Sequence, residues 1–538
     1  MDPAKDSLER LAILKGQRSN FDTLWQECAD IVHPTGGDFN TKHSPGEKKT
    51  ENLVEMTAAR SLEKFVAAMQ TFHTPRNQQW AKLRASEENL NKSTQVREFF
   101  EEADRVLTKL RYSPKARFDG QTYEFWKSEG LTGNACLFVD EGPQGGIRYR
   151  YTHVGQTWIE TNFEGVVDTV YYEYELTARA AVQKWGDDAP PSAQKHAEKQ
   201  PLEKLKFVHV VRPNDERERG ASGPDGMAWE SLEISVEDEK IVDRGGYNEM
   251  PYLWARYTVN PSEVYGRGPC GLVLPDIKTL QEMQRTFLRA GHKVVDPPLL
   301  AASDNQLGRG SKKIRISPGG ITHGGMDREG RPMIQPLVTG ARLDLTEGMM
   351  ETLRANIEDV FLVPFWDAIL SEKHGMTATE VLARDKEKGQ MIAPVISRQQ
   401  SEFLGPLIER ELGIAQRQGL IPELPPELVE AEGEYEIEYE SDATRMQRSD
   451  EVGAFVRLQE VMGQFIAADP SILQKVNADA AMEHYGHDLG VPAKLFRSED
   501  EMDAMRQQQA EAAQGAEVAE AMPGMAKGAR DLREAGLV

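Results

Sequence analysis

Along the first part of the chain the apolar positions recur at helical spacing. Leu8, Leu11, Leu14, Phe21, Trp25, Cys28 and Val32 fall three, four or seven apart, the interval that gathers side chains on one buried helix face. Pro34-Thr35-Gly36-Gly37 stops that helix. Leu62, Phe65, Val66, Met69 and Phe72 mark a second helix. Val96, Phe99, Ala103, Val106, Leu107 and Leu110 mark a third, with Ser93 placed to cap it. From about Asn134 the period shortens to two. ACLFVDE, GIRYRYTH, TWIETN, VVDTVYYEYEL, LKFVHVVRP, WESLEISVE and PYLWARYTV read as short strands between Gly, Pro and Asn-Asp punctuation. One helical interruption falls near Thr177–Trp185, and the polar, glycine-rich 214–226 reads as an exposed loop.

After GRGPCG the helical period returns in LPDIKTLQEMQRTFLRAGHKVV. Pro275 is expected in its first turn, with Asp276 favourable to the N-terminal dipole and Arg289, His292 and Lys293 near the C-terminal end. Pro297-Pro298 ends it. A glycine-rich, strand-like excursion from Leu299 to Val338 follows. A second helix, of similar length, then uses Leu345, Met349, Leu353, Ile357 and Val360 as its face. Thr377 and Glu380 in TATEV form a capping box opening a helix that reaches about Gln418, with a kink at Pro394 where a backbone hydrogen bond is lost. The strand YEIEYE lies in a carboxylate-rich stretch. The last hundred residues are helical, with a further capping box at Ser498 and Glu501. The fold class is α+β.

The 538 residues exceed what one hydrophobic core supports, so several substructures are expected. Apolar residues make up 39% and charged residues 28%, a wet composition that fits an elongated shape, a surface buried on assembly or an ordinary solvated surface. The formal charge of -23 argues against a general nucleic-acid binder, though not against a conduit through which DNA slides. Cys28, Cys136 and Cys270 have no paired spacing and read as reduced, buried thiols. The N-terminal segment has no apolar core and no stretch reaches the length of a membrane span, so neither secretion nor a membrane partner is expected.

Candidate chemistry is sparse. Gly266, Gly268 and Gly271 spell GxGxxG before a helix, as a dinucleotide site would. However, Pro269 removes an amide that a pyrophosphate needs, so a structural glycine turn is the favoured reading. No phosphate loop, HExxH or nucleophile elbow is present. His484 and His487 lack a convincing third ligand, and the carboxylates of YEIEYE alternate onto one solvated strand face. No metal and no cofactor are implied. Arg309, Lys312, Lys313 and Arg315 form the densest basic cluster. They fit either a charged edge strand or a docking surface for an acidic partner.

VYGRGPCGLVLPDIKTLQEMQRTFLRAGHKVVDPPLL and TATEV resemble signature stretches of the head-to-tail connecting (portal) family of short-tailed bacteriophages, the podoviruses. The order of elements agrees over nearly the whole chain. The resemblance implies a portal protein and no enzyme: a dodecameric ring at one capsid vertex of the virion, assembled in the host cytoplasm. Double-stranded DNA would pass through it during packaging by terminase and during ejection. Its further partners would be the major capsid protein or scaffold and tail adaptor proteins. The implied parts are a wing at 1–270, stem helices at 271–298 and 341–362, a clip at 299–340 and a channel loop at 363–376. A kinked wing helix and strand follow at 377–442, and a crown at 443–538. Lys373 and His374 in the loop would touch DNA. Arg309, Lys312, Lys313 and Arg315 in the clip would dock terminase or tail, and Thr377, Glu380 and Pro394 would cap and kink the wing helix. Twelve inner helices about 10 Å apart enclose a bore of roughly 25–30 Å, wide enough for a B-form duplex. The alternatives are another phage ring or tail adaptor, and a dinucleotide-dependent or metal-carboxylate enzyme.

Overall fold

The computed structural model describes residues 2–87, 89–218, 220–301, 326, 329–332, 334–337, 343–364, 367, 394–430, 434–439, 502 and 505. The chain divides into two compact units. One comprises residues 1–76 and 111–414, and the other 77–110 and 415–538. Helices and antiparallel sheets are mixed, as the α+β expectation requires.

The first unit opens with helix α1 (Pro3–Val32), whose N-terminus is capped by the Asp2 carboxylate on the Ala4 amide at 3.1 Å. Its apolar face is the expected one, with Leu11, Trp25, Cys28 and Val32 buried. It also carries a cation that the pattern did not flag. Arg18 is 1% exposed and donates to the carbonyls of Val154 (2.8 Å) and Gly155 (3.0 Å), with the Trp158 ring 4.3 Å away. A buried guanidinium is tolerable only when its donors are taken up in this way. Helices α2 (Thr57–His73) and, in the second unit, α3 (starting at Thr94 behind Ser93) bury most of the expected residues, with Phe72, Val106 and Leu110 half-buried at the edges of their faces.

Every expected strand run in the middle section forms. Strands β2 (Asn134–Glu141), β3 (Ile147–Thr152) and β9 (Tyr252–Arg256) make a three-stranded sheet in the order β3-β2-β9. Strands β4 (Thr157–Thr161), β5 (Val167–Thr177), β6 (Lys204–Pro213), β7 (Trp229–Ser235) and β8 (Lys240–Tyr247) make an antiparallel meander. Strand β6 alternates. Val208 and Val210 pack with Leu11 of α1, while Phe207 faces Ala178 and Ala181 of α5 (Ala178–Trp185) and Ala193 of α6 (Pro191–Lys199). Burial on both faces is why that run reads as almost continuously apolar. Trp25, Phe138, Val170, Tyr252, Trp254 and Tyr265 fill the core between α1 and the two sheets.

In the second unit β1 (Ala81–Ala85) pairs antiparallel with β12 (Tyr435–Tyr439), and Arg84 holds Glu438 at 2.7 Å. Glu434 and Glu436 are exposed, as a strand with one solvated face requires, and Glu440 lies outside the described residues. Helix α10 (Pro426–Glu430) inserts Leu428.

Candidate functional site: a helical hairpin and its root

Helix α7 (Pro269–Val295) and helix α8 (Leu343–Val360) run side by side and flank the insertion. Three expectations are corrected. The legs differ in length, 27 against 18 residues. Pro269 takes the first helical position behind Gly268, so Pro275 and Asp276 lie a further turn or more inside, away from the N-terminal dipole. The face of α8 also shifts. Met350, Ile357 and Phe361 are buried, Leu353 and Val360 are half-buried, and Met349 is 56% exposed. Of the insertion, β10 (Leu299–Ala301) pairs antiparallel with β11 (Ile334–Pro336).

The root of the hairpin is anchored. Gln281 on α7 donates to the Glu55 carbonyl at 2.6 Å and accepts from the Val54 amide at 3.1 Å. From α8, Arg354 reaches the Glu55 carboxylate at 2.7 Å. Burial acts to raise the Glu55 pKa, but hydrogen bonds from Arg354 and Thr57 outweigh it and hold the carboxyl below its ordinary value. The Phe361 ring meets Phe65 of α2 edge-on at 6.2 Å. Beyond Gln281 no α7 residue is buried, and the distal half presents Leu288, Val294 and Val295 to solvent, Val295 at 86%.

The glycine motif explains how α7 starts where it does. At Gly133, with φ +79°, the chain leaves helix α4 (Phe118–Thr132) and crosses the 266–268 backbone. A Cβ on Gly133 would lie 2.2 Å from the Gly268 nitrogen. One on Gly268 would lie 2.5 Å from the Gly133 nitrogen, and one on Gly266 2.4 Å from the Gly133 carbonyl oxygen. Asn134 spans the crossing, accepting from the Gly266 amide at 2.7 Å and donating to its carbonyl at 2.9 Å. GRGPCG is therefore a backbone crossing, as favoured over a dinucleotide cradle. Cys28 and Cys270, far apart in sequence, meet as free thiols where α1 passes α7. Hydrogen bonding to Cys28, together with burial, pushes the Cys270 thiol up.

Beside the crossing, the helical residues from Pro394 to Gln399 widen into a π turn, Gln400–Leu404, before α9 (Gly405–Arg417). Pro394 is exposed and helical, and the residues before it lie outside the described set. The irregularity seen is the π turn. It brings Gln399, Glu402 and Phe403 together onto the core: Phe403 stacks on Phe125 at 4.1 Å, and Glu402 takes the Arg256 guanidinium at 2.7 Å. Gln399 donates to the fully buried Glu129, whose second carboxylate oxygen has no partner among the described residues. Burial first, then the charge of Glu402, push the Glu129 carboxyl up to about 8. On α9, Glu411 receives the buried Arg111 and accepts from the Tyr149 hydroxyl at 2.6 Å, while Arg410 holds Glu249 at 2.9 Å. No sequence pattern singled out these buried ions, because nothing in the periodicity marks a charge that is paired from a distant element.

Of the residues singled out from the sequence, Arg309, Lys312, Lys313, Arg315, Lys373, His374, Thr377 and Glu380 lie outside the described residues, as do His484, His487, Ser498 and Glu501. Among the described residues no cluster of metal-ligating side chains occurs, and no helix is long and apolar enough to cross a membrane.

The chain is 25% identical over 537 residues to the portal protein of Salmonella phage epsilon15, covering 98% of this chain and 95% of that one. It is 26% identical over 526 residues to the probable portal protein of Bordetella phage BPP-1, covering 95% and 92%. The family of bacteriophage head to tail connecting proteins matches residues 4–496. With that match across nearly its whole length, the chain belongs to the bacteriophage head to tail connecting protein family, a family of structural connectors and not of enzymes.

Proposed function

We propose that this protein is a portal: a closed ring of twelve copies at one vertex of the phage capsid, through which double-stranded DNA enters during packaging and leaves during ejection. The observation that carries the reading is the α7–α8 hairpin. It is held at its root by Gln281, Arg354 and Glu55, yet on its distal half Leu288, Val294 and Val295 are exposed among the described residues. A helix with an exposed apolar face gains from neighbours that cover it. On this reading 271–298 and 341–362 are the stem, 299–340 the clip, 363–376 a channel loop and 443–538 the crown. The wing comprises 1–270 with 377–442, its second part a strand and a helix capped by Thr377 and Glu380 and kinked at Pro394. Lys373 and His374 would meet the DNA backbone. Arg309, Lys312, Lys313 and Arg315 would dock terminase or tail adaptors, and the capsid protein or scaffold would hold the rim. The acidic charge of -23 suits a channel that must not trap phosphates. Native mass measurement tests the assembly: twelve copies of a 60.3 kDa chain weigh about 720 kDa. A chain that stays at its single-copy mass across salt concentrations contradicts the proposal.

A further inference from the structure

The two legs of the hairpin carry opposite charge. Residues 283–295 of α7 hold Arg285, Arg289, His292 and Lys293 and no carboxylate. Residues 346–360 of α8 hold Glu347, Glu351, Glu358 and Asp359, against the single cation Arg354, which Glu55 already binds. On each leg the charges share a face: Arg285, Arg289 and His292 stand at i, i+4 and i+7 on α7, and Glu347, Glu351 and Glu358 at i, i+4 and i+11 on α8. Near the root Arg285 already meets Glu282 at 3.5 Å and donates to the Asn52 carbonyl, so the distal charges carry the argument. Arg289, Lys293, Glu347 and Glu351 are all exposed. Although the legs lie side by side, none of these four makes an ion pair among the described residues.

We infer that the hairpins of neighbouring copies pack leg against opposite leg, the basic face of α7 in one copy on the acidic face of α8 in the next. The inference rests on the ring reading above and says which surfaces close the ring. A cyclic assembly repeats one contact between two different faces, so each copy must offer both halves of a complementary pair. Symmetric pairing of the hairpins would instead set Arg289 against Arg289 and Glu351 against Glu351, like charge on like. Leu288 and Val295 border the basic stripe of α7, so the same contact covers apolar surface and shields the pairs from water. Single exposed pairs contribute little, but they set register and encounter, and they are sensitive to salt.

Charge reversal with mixing tests this. Arg289→Glu with Lys293→Glu makes both legs acidic, and Glu347→Lys with Glu351→Lys makes both basic. Each variant alone is expected to fail to close rings at low salt. An equal mixture is expected to close them, with the two variants alternating at one to one and an even number of subunits by native mass spectrometry. The neutral pair Arg289→Gln with Lys293→Gln removes attraction without adding repulsion, so its assembly should trail the wild type at low salt and match it at high salt. The inference is overturned if either reversed variant assembles alone as readily as the wild type. It is also overturned if the mixture does not assemble; a variant with all four changes that assembles alone would then place the pairing within one chain. Both results leave the ring reading standing, whereas a wild-type chain that never closes removes the ring reading and this inference with it.

Discussion

Replacing Glu129 with Gln should make the protein more stable at pH 8 and leave it nearly unchanged at pH 5. Glu129 sits in the last turn of α4, wholly buried, with Gln399 on one carboxylate oxygen and no described partner on the other. The charged groups around it are Glu402 and the Arg256 guanidinium that Glu402 already holds, and Tyr257 faces it as a neutral hydroxyl. Burial and Glu402 lift its carboxyl from an ordinary 4.5 to about 8. An unfolded chain releases that proton near 4.5, while the folded chain keeps it until about 8. Between these values the folded state binds more protons, so its stability falls as pH rises and the favourable contribution is fully present only below 4.5. At about 1.4 kcal/mol per pH unit the loss across the window is about 5 kcal/mol. Water entry and local relaxation make that an upper figure. Gln keeps the shape, is neutral at every pH and can donate to the Gln399 carbonyl. The assay is urea or thermal unfolding of wild type and variant at matched concentration and salt from pH 4.5 to 8.5. The difference curve cancels the background of other carboxylates. It should climb steadily with pH, and parallel curves would refute a proton held on Glu129.

Three further variants test the crossing, helix α4 and the insertion. Gly268→Ala drives a methyl into the Gly133 nitrogen and the Glu129 carbonyl, both backbone, and should cost about 2–3 kcal/mol with a lower Tm and soluble yield. Gly120→Ala, inside α4 with nothing within 4 Å, should instead gain about 0.5–1 kcal/mol in the same measurements. Replacing Arg309, Lys312, Lys313 and Arg315 with Ser should preserve Tm and ring size while weakening salt-sensitive binding to terminase or tail, measured by co-sedimentation at two ionic strengths.

The periodic elements were legible and the ones without a period were not. α1, α2, α3 and all seven anticipated strand runs form, because each has one face on a core and writes that face into its spacing. Helix α4 escaped because Thr122, Phe125, Trp126, Ser128, Glu129 and Leu131 are buried around most of its circumference, which erases the polar stripe. Strand β1 is five residues with two cations, and its partner β12 lies some 350 positions away. Strand β8, KIVDRGGY, is an edge strand with a glycine pair and no apolar alternation. The start of α7 was misplaced because Pro275 and Pro269 both suit a first turn, and only the packing of Gly268 on Gly133 decides between them. The hairpin was visible as two helices around an insertion. Its anchors, Gln281, Arg354 and Glu55, were not, since a polar residue that finds a distant partner looks in sequence like any solvated one.

Electron microscopy of the purified full-length chain, without DNA or other phage proteins, tests the central claim most directly. The account predicts rings of a single rotational symmetry around a central hole of roughly 25–30 Å, the bore left by about a dozen helices spaced 10 Å apart. In averaged images the inner wall should be formed by hairpins, with α7 of each copy facing α8 of the next. Particles without a hole, or rings whose hole is too narrow for a B-form duplex of about 20 Å, would contradict it.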